Sequence, residues 1–129
     1  MLRPHKLVYS AAVAVLSVLT LSCGGAHDSD EYFVLVSANL QVPYWKTAGA
    51  GFSNASTQMK VRSDFMGPQN YDPKAERDAV DQAVQKKATG ILLGVTDPAL
   101  LKDSIDKAVA AGIPVITIDS DAPSSKRLF

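Results

Sequence analysis

GILLGVTDPALLKDSIDKAVAAGIPVITID, residues 90–119, decides the fold. It opens with an apolar run, GILLGV (90–95), and closes with another, IPVITI (113–118). Continuous apolar runs of this length suit strands covered on both faces of a parallel sheet. Between them Leu101, Ile105, Ala108 and Val109 recur at steps of three and four, which predicts one apolar helical stripe. Asp97 followed by Pro98 supplies a capping carboxylate and a first-turn proline, and Gly112 supplies a left-handed stop. A strand, a helix and a second strand in succession form a right-handed parallel crossover.

The same unit recurs upstream. YFVLVS (32–37) and KVRSDFM (60–66) read as two more strands. In the second, Val61, Ser63 and Phe65 alternate with Lys60, Arg62 and Asp64, the pattern of an edge strand with one wetter face. Trp45, Ala48, Phe52, Ala55 and Met59 give the stripe of a first helix. Ala75, Ala79, Val80, Ala83 and Val84 give that of a second, started by Asp72-Pro73. The chain from residue 32 to 129 is thus predicted to be a doubly wound α/β domain with a parallel sheet of strand order 2-1-3-4. In such sheets ligands bind beyond the carboxyl ends of the strands, where the winding reverses. Here that places SANLQVPYW, VTDPA and DSDAP at one crevice.

Residues 1–23 stand apart. Arg3 and Lys6 precede an uncharged stretch, LVYSAAVAVLSVLTLS, that reads as a secretory signal and is too short for a comfortable membrane span. Cys23, the only cysteine, follows it, and the segment resembles a bacterial lipobox in which this cysteine is lipidated. An ordinary cleaved signal with an incidental cysteine is the alternative. Residues 24–31, GGAHDSDE, read as a flexible tether. The expectation is an exported, lipid-anchored protein, periplasmic or at the cell surface.

Composition removes several functions. The chain carries 13 basic and 13 acidic residues with no basic run interleaved with aromatics, so nucleic acid has no electrostatic footprint. Both histidines, His5 and His27, precede the patterned region, which leaves no Ser-His-Asp triad and no histidine-based metal site in the domain. The turn after the first strand has neither G-x-G-x-x-G nor a P-loop lysine. GAGFSN (49–54) begins within a helix, and its glycines read as close-packing positions. No cofactor is expected. Of the three crevice aspartates, Asp97 is explained as a helix cap, whereas Asp119 and Asp121 are not. Aromatic rings and unpaired carboxylates together suit a polyol, because rings take the C–H faces of a sugar and carboxylates accept from its hydroxyls. Tyr44, Trp45 and Asp119 supply both needs. Trp45 also lies on the apolar stripe, so core packing is its competing role.

The succession N-x-x-x-P-Y-W, then YDPKAERDAVDQAVQKKATGILLGVTDPALL, then AVAAGIPVITIDSDAPSSKR, resembles the first lobe of type I periplasmic sugar-binding proteins. These are the ribose- and galactose-type receptors of ABC importers, whose fold is shared by the ligand domains of LacI-type repressors. The resemblance implies a non-enzymatic receptor that closes two lobes about a hinge on a sugar and presents it to a membrane permease. It also implies that residues 32–129 are an incomplete N-terminal lobe carrying half a binding site. Pro43, Tyr44 and Trp45 match the segment that contacts sugar in ribose-type members, and Asp119 matches their aspartate after strand 4. Val42 stands where those members have asparagine, and Ser120 where they have arginine; Asn39 and Asp121 are the candidates to compensate. An exported sugar sensor feeding a chemoreceptor or kinase is a close variant. An exported α/β enzyme acting on carbohydrate is the alternative from another class.

Overall fold

A computed structural model describes residues 27–129. The signal segment and Cys23 lie outside the described residues. Four parallel strands, β1 (Tyr32–Val36), β2 (Arg62–Met66), β3 (Gly90–Leu93) and β4 (Val115–Thr117), form one sheet in the predicted order β2-β1-β3-β4. Helices α1 (Pro43–Met59), α2 (Pro73–Gln85) and α3 (Pro98–Ala110) connect them.

The predicted helix signals act as expected. Asp72 Oδ1 accepts from the N–H groups of Lys74 and Ala75 at 3.0 and 3.1 Å, and Asp97 Oδ1 from those of Ala99 and Leu100 at 3.0 Å each. Each aspartate thereby satisfies two of the orphan donors of a helix start. Gly112 stops α3 with φ +81°, a backbone that other residues rarely adopt. Two strands start later than the sequence pattern implied. Lys60 takes a left-handed conformation as the C-cap of α1, so β2 begins at Arg62. Pro114 has no N–H to donate, and β4 begins at Val115.

Both faces of the sheet are covered, by different means. On one face Val34, Val36, Ile91, Leu93 and Val115 pack against Val80 and Ala83 of α2 and Leu101, Ile105 and Ala108 of α3. On the other, Leu35 and Ala38 pack against Trp45, with Ala48, Phe52, Phe65 and Leu92 at the margin. The buried stripe of α1 differs from the expected one: Gly49 and Ser56 join Trp45 in it, while Ala55 and Met59 are exposed. The Phe65 ring of the neighbouring strand requires this, since a Cβ on Gly49 would lie 2.6 Å from it. Gly51 has open space around it, so the close-packing role falls to Gly49 alone. Strand β2 is the edge strand predicted. On its wetter face Asp64 accepts from the Tyr32 hydroxyl at 2.6 Å and from Lys86 at 3.1 Å.

Candidate functional site: the carboxyl edge of the sheet

The register of the strands brings the predicted loops to one edge. Gly94 N–H donates to Val36 O and Ile118 N–H to Leu93 O, both at 2.9 Å, so the chain leaves β1, β3 and β4 at one level. The loop after β1 is tied to the loop after β2 by Leu40 N–H on Pro68 O at 2.8 Å and by the Gln41 and Gln69 side-chain amides.

Tyr44 and Trp45 open α1 at this edge and differ sharply. The indole is 2% exposed and packs over Gly94, where a Cβ would overlap the ring. The phenol ring is 54% exposed and meets the indole edge-on, with centroids 5.0 Å apart and planes at 81°. Edge-to-face pairing is the favoured aromatic geometry. Trp45 is therefore a floor and Tyr44 a ring presented above it. Val42, at the N-cap, has no side-chain oxygen to accept from the helix N–H groups, and Pro43 in the first turn removes one of those donors. Asn39 is buried; its Oδ1 accepts from Gln41 N–H at 2.8 Å and fixes the turn leading into α1.

Asp119 follows β4 with φ +68° and lines an open cleft of about 480 Å³ together with Thr117, Ser120, Asp121, Arg127 and Phe129. Its neighbour Asp121 is committed locally. The Asp121 carboxylate accepts twice from Arg127, from the Thr117 hydroxyl at 2.9 Å and from Ala122 N–H at 2.7 Å. The Arg127 bonds, ahead of those from Thr117 and Ala122, hold its pKa below the usual carboxylate range. Strand β3 separates β1, which leads to Tyr44, from β4, which leads to Asp119, so those two strands lie about 10 Å apart. Tyr44 and Asp119 thus stand on the same edge of the sheet, while the cleft that Asp119 lines includes neither Tyr44 nor Trp45.

Two features escaped the sequence reading. Ser120, a departure from the ribose-type pattern, donates to Val95 O at 2.7 Å and accepts from Val95 N–H at 2.8 Å. Glu76, in the first turn of α2, is wholly buried and accepts from the Thr96 backbone and hydroxyl, while its Oε1 has no partner. Burial pushes the Glu76 carboxyl up to about 7; the Thr96 bonds pull it down, and the charge of Asp97 adds to the rise. Glu76 shares a face with Val80 and Ala83, at i, i+4 and i+7, so the signal was the stripe itself. Among the described residues no group of three metal-ligating side chains occurs, and no helix is long and apolar enough to cross a membrane.

A doubly wound lobe with its crevice at the carboxyl edge defines the class of protein, and the comparisons agree. Residues 33–129 match the periplasmic binding protein domain, and the chain belongs to that family. It is 25% identical over 89 residues to the ribose import binding protein RbsB of Bacillus subtilis (strain 168), which covers 69% of this chain and 29% of that protein. Among solved structures it is similar to a sugar-binding protein of a sugar ABC transporter from Bacillus halodurans, at 34% identity and TM-score 0.71, over 76% of this chain and 34% of that one. The arabinose-binding protein AraP from Geobacillus stearothermophilus gives the same four figures. XylFII, solved in a complex with LytSN, is similar at 32% identity and TM-score 0.72 over 77% of this chain and 36% of that one. The chain spans about a third of the length of these relatives.

Proposed function

We propose that this chain is the N-terminal lobe of an exported receptor that captures a sugar between two lobes and delivers it to an ABC-type permease. The observation that carries the reading is that an exposed aromatic ring, Tyr44, follows β1 and an exposed carboxylate, Asp119, follows β4, both at the carboxyl edge of the one sheet. In this arrangement Tyr44 covers an apolar sugar face, Trp45 fixes the ring from below, and Asp119 accepts from hydroxyls. Asn39 spends its oxygen on its own turn, leaving its NH₂ as the group that can donate to a sugar. Asp121 orients the segment after β4 through Arg127. The mechanism is hinge closure without covalent chemistry. Calorimetry with D-ribose, L-arabinose, D-xylose and D-galactose on the receptor carrying this lobe tests it. One of them should bind and be recovered unchanged, and Asp119→Asn should weaken it roughly tenfold to a hundredfold, the worth of a hydrogen bond to a charged acceptor. Turnover of the sugar would instead point to an enzyme, and unaltered binding by the asparagine variant would remove Asp119 from the site.

The likeness to XylFII, solved in a complex with LytSN, favours a second reading in which the same lobe reports sugar to a sensor. Co-purification with a permease or with a sensor from detergent-solubilised membranes separates the two. Anchoring is a further part of the proposal. Cys23 carries the lipid, so a labelled fatty acid should be incorporated by the wild type and lost in Cys23→Ala; label retained in the variant would show that the lipobox reading is mistaken.

A further inference from the structure

We propose that Ser120 is a positioning residue that holds Asp119 in a strained backbone and so presents its carboxylate to the crevice. Ser120 N–H donates to Ile118 O at 2.8 Å, closing a three-residue turn around Asp119, whose φ is +68°. A γ-turn with a positive central φ is the rare and strained form. Such backbone persists only where surrounding contacts over-determine it, and it concentrates at ligand-binding positions. Asp121 holds the following residues through Arg127 and Thr117, and one side chain ties the turn itself to a neighbouring loop. The Ser120 hydroxyl bonds both the C=O and the N–H of Val95, at 2.7 and 2.8 Å, clamping the turn after β4 onto the loop after β3. That loop is itself fixed: Gly94 is held by Val36 O and covered by Trp45, and Thr96 is held by Glu76. Asp119 is therefore built onto the same rigid loop that carries the floor of the aromatic pair. The proposal rests on the reading of Asp119 as a ligand contact and adds to it the device that aims the side chain.

The experiment compares Ser120→Ala with Ser120→Thr, which keeps the hydroxyl. Sugar affinity is measured in the receptor carrying this lobe, with whichever of the four sugars named above the wild type binds. Val95 amide exchange and Asp119 backbone chemical shifts are measured by NMR in parallel. Ser120→Ala should bind the sugar about tenfold more weakly, expose the Val95 amide to exchange and shift Asp119 out of the left-handed region. Ser120→Thr should restore affinity to within about threefold. Wild-type affinity in Ser120→Ala, or loss of affinity that threonine does not rescue, would overturn the proposal. If the wild type binds none of the four sugars, the ligand reading falls while the Asp119 shifts still decide the positioning claim: unchanged shifts in Ser120→Ala overturn it, and displaced shifts uphold it.

Discussion

Glu76→Gln should make the fold more stable at pH 8 and remove most of the pH dependence of its stability between about pH 4.5 and 7. The Glu76 carboxyl titrates at about 7 in the folded chain and at 4.5 when unperturbed, so between those values the folded state binds more protons than the unfolded state. The contribution of Glu76 to stability is therefore greatest below about pH 4.5, falls as pH rises through the window, and levels off above 7. A pKa unit corresponds to about 1.4 kcal/mol, so the whole loss is on the order of 3 kcal/mol, a large share of a small domain's stability. Glutamine keeps the shape and the oxygen that accepts from Thr96, but carries no charge to desolvate. Urea denaturation of both proteins at pH 5 and pH 8 measures the effect. Parallel losses between the two pH values in wild type and variant would mean that Glu76 is not the group responsible.

Why that residue was hidden in the sequence is instructive. KAERDAVDQ reads as a charged, solvated helix start, and side-chain chemistry alone places Glu76 outside. Periodicity places it inside, with Val80 and Ala83, and the fold obeys periodicity because that face of α2 packs into the core shared with the first strand. The two aspartate caps and the stop at Gly112 were legible because each depends on residues near one another in sequence, and the strand order because alternating strands and helices with right-handed crossovers leave few topologies. The clamp between Ser120 and Val95 was not, since it joins residues 25 apart through the pairing register of β3 and β4. The stripe of α1 failed for a related reason. Met59 matches the helical period, but the close approach of Phe65 at Gly49 rotates the buried face toward Ser56.

The start of α1 divides the two rings. Trp45 is buried over Gly94, so Trp45→Ala empties a large space in the smaller of the two cores. Aromatic-to-alanine changes in cores cost about 3–5 kcal/mol, and each kcal/mol shifts the melting temperature of a domain this size by about 4–8 °C. A fall of more than about 10 °C is expected for this variant. Tyr44 stands mostly in solvent, and its loss should leave melting within about 2 °C, as for exposed substitutions generally. Its cost belongs to binding. A stacked aromatic is worth about 0.5–1.5 kcal/mol beyond its buried area, so Tyr44→Ala should weaken sugar binding about tenfold. Trp45→Phe, which refills part of the space, should recover most of the stability and leave the Tyr44 ring supported. Thermal unfolding and calorimetry on the three variants, in the receptor carrying this lobe, read both quantities on the same preparations. If Tyr44→Ala melts early or binds as wild type does, the phenol is not a ligand platform. The exposed aromatic at the mouth of β1 would then have to serve the rim of the crevice and not its contents.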